Sequence, residues 1–170
     1  MWVTFSYIYA LLYSNLYREK YAEFLKGNFP GIPFTKDYKL FREMRDYGRR
    51  LVDLHLLKSA ELAPPIARFH GEGEDNKVKK LDYNEEERRV YINESKYFEG
   101  IEKGGWEYQI GGYQVCSKWL KDRKDKSLSL EETIHYCKIV TSLQRTIEIQ
   151  REIDDIYPEA EKEIIEFENR

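Results

Sequence analysis

The apolar spacing along this chain changes at Pro64-Pro65, and that change constrains the fold more than any other feature. Before the two prolines, apolar residues recur every three or four positions, which predicts helices. After them come short segments in which apolar and polar residues alternate, the period of a half-buried strand. We therefore expect an α+β fold, with a small, mainly antiparallel β-sheet flanked by an N-terminal helical pair and a long C-terminal helix.

Two helices are predicted ahead of the prolines. The first covers about residues 4–26 and is followed by an extended connector at 29–34, which holds two prolines. The second covers about residues 36–58, and we expect it to pack antiparallel to the first. The apolar face of the first helix is predicted at Phe5, Ile8, Leu12, Leu16 and Phe24. The exposed face of the second carries Arg42, Arg45, Arg49 and Arg50. These arginines either contact phosphates or pair with acidic residues of a missing neighbour domain, although a charge run on a helix is usually just a solvated face.

Short strands are predicted beyond the prolines, at residues 66–70, 78–83 and 88–93, with a turn at 84–87. A short helix is predicted at 113–120. Ser129 and Glu132 have the spacing of a capping box, so they should open a long helix that Pro158 interrupts before an acidic final helix. The predicted organisation is a helical pair over 1–63, a mixed α/β core over 64–128 and C-terminal helices over 129–170.

Cysteine content and hydropathy narrow the class of protein. Cys116 and Cys137 do not form a CxxC pair, so we interpret them as small buried thiols of a cytoplasmic protein. No apolar run reaches about 18 residues, and no membrane partner is expected. The first five residues lack the charged region of a signal peptide, and we interpret the start as a cut through a longer chain.

Most catalytic templates are missing from the sequence. It contains no G-x-S-x-G, no phosphate-binding loop, no H-E-x-x-H and no dinucleotide-binding glycine pattern. His55, His70 and His135 are not spaced as metal ligands. We expect no catalytic residue, metal or cofactor in this part of the chain.

One short pattern keeps a nuclease hypothesis open. Asp82 precedes Glu94-Ser95-Lys96, and nucleases place an acidic residue on one strand and E-x-K on the next. The carboxylates would hold a divalent metal, and the lysine would position the attacking water. The alternative is a solvated hairpin end with Glu94 and Lys96 on its exposed side. We favour it because so short a motif arises easily in a charged chain and needs its structural context to count.

A basic cluster with interleaved aromatic residues is the better candidate for function. The formal net charge is −3, but residues 113–126 hold five basic and two acidic residues. Glycine permits close approach of a backbone to a phosphate, lysine and arginine neutralise phosphates, and glutamine can read base edges. The candidate DNA contacts are Gln109, Gly111, Gly112, Tyr113, Gln114, Lys118, Lys121, Arg123 and Lys124. The alternative is a small core around Trp119 and Leu120, with the lysines as its solvated rim.

Several runs resemble one protein family. The run QIGGYQVCSKWLKDRK at 109–124 and the run YINESKYFEG at 91–100 resemble the C-terminal specificity region of Type ISP restriction–modification enzymes. The runs YIYALLYS at 7–14, YREKYAEFL at 17–25, FPGIPF at 29–34 and LVDLHLL at 51–57 continue the resemblance. In such enzymes one polypeptide joins a nuclease, a helicase-like ATPase, an N6-adenine methyltransferase and a target-recognition part. The resemblance implies that this chain is the last of these.

Two classes of function are therefore compared, beside the nuclease hypothesis. In the first, the chain binds double-stranded DNA and reads its sequence for the methyltransferase and helicase-like domains of the same polypeptide. In the second, the helices form a scaffold that spaces other domains without reading DNA. An apolar stripe left exposed would favour the scaffold, because such patches mark missing partners.

Overall fold

The computed structural model describes residues 2–27 and 31–166. The chain divides into two compact units, one of residues 1–56 with 148–170 and one of residues 57–147. The chain passes from one unit to the other between residues 56 and 57 and again between residues 147 and 148. The domain boundaries after residues 63 and 128 stay a prediction. Part of the connector predicted at 29–34 lies outside the described residues.

The predicted first helix is broken into three. Helices α1 (Trp2–Tyr13), α2 (Asn15–Lys20) and α3 (Ala22–Leu25) replace the single helix expected over residues 4–26. The first break is at Ser14, whose extended backbone ends α1 and whose hydroxyl accepts from the Tyr17 amide at 3.1 Å, capping α2. The carboxylate of Asp154 accepts from the Ser14 hydroxyl at 2.7 Å and from the Leu16 amide at 3.2 Å. The break is therefore stabilised from a distant part of the chain.

The buried side of this helical segment is also not the predicted one. Phe5, Leu16 and Phe24 are exposed, whereas the neighbouring stripe that includes Tyr7 and Tyr17 is buried. The tyrosine hydroxyls donate to backbone carbonyls of the connector, Tyr7 to Pro33 at 2.6 Å and Tyr17 to Gly31 at 3.0 Å. A buried tyrosine requires such an acceptor, and the connector supplies it.

Helix α4 (Tyr38–His55) confirms the second predicted helix and begins at Asp37, whose carboxylate accepts from the Lys39 amide at 2.7 Å. Its arrangement with α1 differs from the antiparallel pair expected. Tyr7 stacks on Phe41, Ala10 faces Gly48 and Tyr13 contacts His55. Later residues of α1 thus meet later residues of α4, the order of two helices that run in the same general sense.

The second unit contains a four-stranded antiparallel sheet in the order β1-β4-β3-β2. Its strands are β1 (Arg68–Gly71), β2 (Asp82–Asn84), β3 (Arg89–Tyr91) and β4 (Lys96–Glu99). Strands were predicted near β1, β2 and β3, and the turn before Arg89 is present. Strand β4 was not predicted, and residues 78–81 are not strand; instead, the Lys79 amide donates to the Ile92 carbonyl at 2.8 Å.

A two-stranded hairpin and short helices complete the second unit. Its helices are α5 (Lys103–Glu107) and α6 (Val115–Lys121), and its hairpin is β5 (Gln109–Ile110) with β6 (Tyr113–Gln114). Helix α6 confirms the short helix predicted at 113–120, although Tyr113 and Gln114 belong to the hairpin. One core joins the inner sheet face to α6 and the following long helix through Val90, Phe98, Leu120, Tyr136 and Val140.

Helix α7 (Leu130–Ala160) begins at the predicted capping box. The Ser129 hydroxyl accepts from the Glu132 amide at 3.1 Å, and the Ser129 amide donates to the Glu132 carboxylate at 3.0 Å. Pro158 lies inside the last turn and does not interrupt the helix where expected. No further helix follows within residues 161–166, so the acidic final helix is not found in that part of the chain. The predicted fold class, a mixed α+β fold with a long C-terminal helix, is confirmed.

Both cysteines are buried and unpaired, as expected. Burial raises the pKa of the Cys116 thiol to about 12 and that of the Cys137 thiol to about 11. Since the thiolate is the nucleophile, neither side chain is suited to covalent chemistry at neutral pH.

Candidate nucleic-acid interface

The hairpin of β5 and β6 is an exposed part of the predicted site. Gly111 and Gly112 form its two-residue turn with φ of 58° and 82°. Positive φ at both central residues is the requirement of a type I′ turn, and glycine meets it without steric strain. A Cβ atom at either position would meet nothing within 4 Å, so the tip of the hairpin projects freely.

The two faces of the hairpin differ in chemistry. Gln109 pairs with Gln114 and Ile110 pairs with Tyr113 in the antiparallel register. Tyr113 is 63% exposed and Ile110 is 50% exposed. Because paired residues share a face, one face is polar with two amides and the other is apolar with an aromatic ring.

The base of the hairpin is anchored in the core of its unit. The Val115 amide donates to the Tyr108 carbonyl at 3.1 Å, which closes the hairpin just below its strands. Trp106 stacks on Tyr83 with ring centroids 5.0 Å apart, and the Tyr83 hydroxyl donates to the Ile101 carbonyl at 3.0 Å. The result is a fixed base with a tip open to a partner.

Helix α6 continues the surface from the hairpin. A groove of about 460 Å³ lies between them, which we call the hairpin groove. It is lined by Gln109, Gly112, Tyr113, Gln114, Ser117, Lys118, Lys121 and Asp122. Six of the nine candidate residues are therefore brought to one concave surface, beside the Gly111 turn.

Lys118 does not present a free charge to this groove. Its ammonium lies 2.9 Å from the Asp122 carboxylate, one helical turn away, and 5.6 Å from the centre of the Tyr113 ring. The hydrogen bond to Asp122 raises the pKa of Lys118. This lysine orders the groove and is partly neutralised within it.

Arg123 is held by the protein itself. Its guanidinium lies 3.5 Å from the centre of the Trp119 ring and donates to the Glu132 carboxylate at 3.0 Å and to the Trp119 carbonyl at 3.1 Å. The backbone amide of Ser129 and this arginine together lower the pKa of Glu132. Arg123 thus connects the end of α6 to the start of α7.

We expect Arg123→Ala to lower the free energy of unfolding by about 1 to 2 kcal/mol, because a stacked cation and a charge-assisted hydrogen bond are lost. Urea denaturation measures this effect. Arg123→Lys keeps the charge but not the planar stack on Trp119, so its loss of stability should be nearly as large as that of Arg123→Ala. The structural role would be contradicted if Arg123→Ala left stability unchanged and reduced the salt dependence of DNA binding.

Lys121 and Lys124 lie beside lysines that the sequence analysis did not select. A second groove, of about 260 Å³, is lined by Val78, Lys79, Lys80, Leu81, Lys121 and Lys124. We call this the lysine groove. Lys79 and Lys80 lie in the strand predicted at 78–83, far in sequence from the basic run at 113–126, and no local pattern predicts that the two segments meet.

Three of the four arginines on the exposed face of α4 contact side chains of their own unit, and Arg49 is exposed. The Arg45 guanidinium lies 2.6 Å from the Asp46 carboxylate, and that of Arg50 lies 3.3 Å from the Glu152 carboxylate. The guanidinium of Arg42 lies 5.9 Å from the centre of the Tyr38 ring. These three arginines are thus engaged within the chain, whereas a contact of this face with phosphates or with a neighbour domain stays a prediction.

The nuclease pattern is not assembled. Asp82 and Glu94 line one surface depression, but Lys96 is 8% exposed, and its ammonium donates to the Gly71 carbonyl at 3.0 Å. Gly71 is on β1, at the opposite edge of the sheet from Asp82 on β2. The described residues include no group of three histidine, cysteine or acidic side chains able to hold a metal ion. They also include no helix long and apolar enough to cross a membrane.

The profile of the Type ISP C-terminal specificity domain matches residues 2–152. This chain belongs to that family. The resemblance seen in the sequence is therefore confirmed. Among curated proteins, none matches the chain.

Three solved structures have a region similar to this specificity domain. The first is a nuclease-deletion mutant of the Type ISP restriction–modification enzyme LlaGI in complex with a DNA substrate mimic (TM-score 0.69, 23% identity, 89% of this chain and 14% of that chain). The second is the ATP-dependent Type ISP restriction–modification enzyme LlaBIII bound to DNA (TM-score 0.63, 22% identity, 96% of this chain and 11% of that chain). The third is a DrdV–DNA complex (TM-score 0.65, 21% identity, 96% of this chain and 18% of that chain). The chain thus spans less than a fifth of the length of each.

The motifs that resemble the specificity-domain family coincide with the sheet and the hairpin surface. Residues 91–100 run from the end of β3 through β4, and residues 109–124 cover the hairpin, α6 and the turn after it. The longest run of family-like sequence is therefore the segment that forms the exposed hairpin and one wall of each groove.

Proposed function

We propose that this specificity domain recognises a DNA target sequence on behalf of a larger restriction–modification enzyme. The observation that carries the proposal is the exposed hairpin with a free two-glycine tip, in a chain that belongs to a specificity-domain family. The domain binds duplex DNA, and other parts of the enzyme carry out the chemistry.

The relatives support a division of labour. Each similar solved structure is described as a DNA complex, and this chain covers between 11% and 18% of those chains. We assign adenine methylation, ATP-driven translocation and cleavage to the remaining parts of such a polypeptide. The buried cysteines with raised pKa and the unassembled Asp82–Glu94–Lys96 pattern fit a domain without its own catalysis.

The hairpin combines a two-stranded backbone with side chains that can contact base edges. The major groove of B-DNA admits a two-stranded β-ribbon, and glutamine forms a bidentate pair with adenine. Gln109 is exposed on the polar face of the hairpin, while Ile110 and Tyr113 offer apolar contacts that suit a thymine methyl group. Phosphate contacts position the duplex, and these side chains provide discrimination.

Selection from a random duplex library, followed by anisotropy with the enriched duplex and a scrambled one, tests the proposal. We expect the double variant Gln109→Ala, Tyr113→Ala to lose about 10- to 100-fold in preference for the enriched sequence, since a bidentate base contact contributes about 1 to 3 kcal/mol. Binding to the scrambled duplex should change little.

A control is Tyr38→Ala, which removes a tyrosine of similar exposure from the other compact unit. It should leave the preference unchanged. If the hairpin variant selects the same sequence with the same preference as the unsubstituted chain, the hairpin does not read bases.

The scaffold hypothesis retains one observation in its favour. Helix α1 exposes Trp2, Val3 and Phe5, with Trp2 76% exposed, an apolar face of the kind expected where a neighbouring domain packs. We assign this face to docking on the catalytic part of the polypeptide, beside the recognition role of the other unit. If the hairpin variants leave recognition intact, the scaffold role becomes the better account of the whole chain.

A further inference from the structure

Two lysine segments that lie far apart in the sequence are joined by backbone hydrogen bonds. The Val78 amide donates to the Lys126 carbonyl at 3.0 Å, and the Asp125 amide donates to the Val78 carbonyl at 2.8 Å. The Leu128 amide donates to the Asn76 carbonyl at 3.1 Å. The chain on either side of Lys77, up to the residue before Lys79, is thereby fixed against the turn that follows α6.

This junction concentrates unpaired positive charge. The side chains of Lys80, Lys121 and Lys124 are exposed, and within the described residues none of them forms a hydrogen bond or an ion pair. By contrast, Lys79 is 2.8 Å from the Asp75 carboxylate, and Lys118 is paired with Asp122. Ammonium groups without internal partners are the ones available to a bound anion.

The lysine groove and the hairpin groove adjoin at Lys121, which lines both. Lys79 and Lys80 also line the depression that contains Asp82 and Glu94, whose carboxylates are unfavourable neighbours for a phosphate. The basic side chains therefore adjoin an acidic depression at Lys79 and Lys80 and the hairpin groove at Lys121.

We infer that the lysine groove binds the phosphate backbone of the same DNA whose bases the hairpin reads. Lys80, Lys121 and Lys124 supply the charge, and Lys118 and Arg123 do not, because internal partners already hold them. This inference rests on the proposed function, since it assigns the phosphate-contacting part of that interface. It also extends the interface to a segment, residues 77–80, that lies outside the basic run of the sequence.

The experiment compares two triple variants with the same change in charge. One replaces Lys80, Lys121 and Lys124 with glutamine in the full chain. The other replaces Lys36, Lys39 and Lys58, which are exposed and are not among the residues that line the groove. The probe is a fluorescently labelled random-sequence duplex, with affinity measured by anisotropy over a range of salt concentrations.

The groove variant should bind about tenfold or more weakly at low salt, and its slope of log affinity against log salt should fall by about 2 to 3, since each phosphate contact contributes about 0.9. The control variant should retain the slope of the unsubstituted chain. Lys→Arg at the same three groove positions should restore binding, because the charge is kept, and thermal unfolding should show both groove variants folded.

Equal slopes for the groove and control variants would overturn the inference while leaving the proposed function standing. Loss of binding in the Lys→Arg variant would also overturn the inference, because a groove that binds phosphates through charge should tolerate arginine in place of lysine. Failure of the unsubstituted chain to bind any duplex at low salt would instead contradict the proposed function, and the inference with it.

Discussion

Gly48→Ala is expected to destabilise the chain by about 3 kcal/mol, although alanine is the better helix former. In the interior of a helix the change alone would stabilise by about 1 kcal/mol. At Gly48, however, a Cβ atom would overlap the backbone carbonyl oxygen of Ser6, with the Ala10 amide nitrogen 3.1 Å away. The clash is with backbone, which cannot rotate aside, so α1 and α4 must separate.

Urea denaturation with far-ultraviolet circular dichroism measures this change. Gly104→Ala is the matched control, because a Cβ atom there meets only the end of the Ile147 side chain at 3.5 Å. The control should be neutral or slightly stabilising. An increase in stability for Gly48→Ala would contradict the close approach of the α1 and α4 backbones at Gly48.

Asn93→Leu should lower the free energy of unfolding by about 3 kcal/mol or more. Asn93 is 9% exposed, and its amide donates to the Asp75 carbonyl at 2.9 Å and to the Lys77 carbonyl at 3.0 Å. Its side-chain oxygen accepts from the Lys96 amide at 2.8 Å. Leucine has a similar shape but no polar atoms, and each buried backbone group left without a partner costs about 1 to 3 kcal/mol.

The control for Asn93 is Asn84→Leu, which removes one hydrogen bond at an exposed turn, from the Glu87 amide to the Asn84 side chain. Its effect on unfolding should be within about 1 kcal/mol. Asn93→Asp keeps the acceptor oxygen and loses both N–H donors. Its free energy of unfolding should therefore lie between those of Asn93→Leu and Asn84→Leu. Similar stabilities for Asn93→Leu and Asn84→Leu would mean that Asn93 does not fix the segment that leads to Lys79 and Lys80.

A chain with a negative net charge can present a basic surface where its lysines are not paired with carboxylates. The net charge is −3, yet many carboxylates lie in pairs with nearby cations, as Asp75 does with Lys79 and Asp122 with Lys118. The pairing leaves Lys80, Lys121 and Lys124 unbalanced at one groove. Local charge, not the total, then determines where a phosphate backbone is attracted.

The helical segments show how far periodicity can be taken. The capping box at Ser129 and Glu132 located the start of α7, because its hydrogen bonds are local to four residues. The break at Ser14 was not predictable in the same way, since Asp154, far along the chain, holds it. Likewise, Tyr7 and Tyr17 are buried because connector carbonyls accept their hydroxyl protons, which spacing does not reveal.

The sequence by itself determined the fold class, the family, and the run from Gln109 to Lys124 as the candidate surface. These follow from local patterns: apolar period, paired glycines and a stretch of distinctive residues. Only the tertiary structure decided which charges in that run are available. Arg123 and Lys118 are held by Trp119, Glu132 and Asp122, while the hydrogen bonds of Val78 bring Lys80 to Lys121 and Lys124. The physical reason is that the strength of a charged site depends on distances in space, which long-range backbone pairing sets.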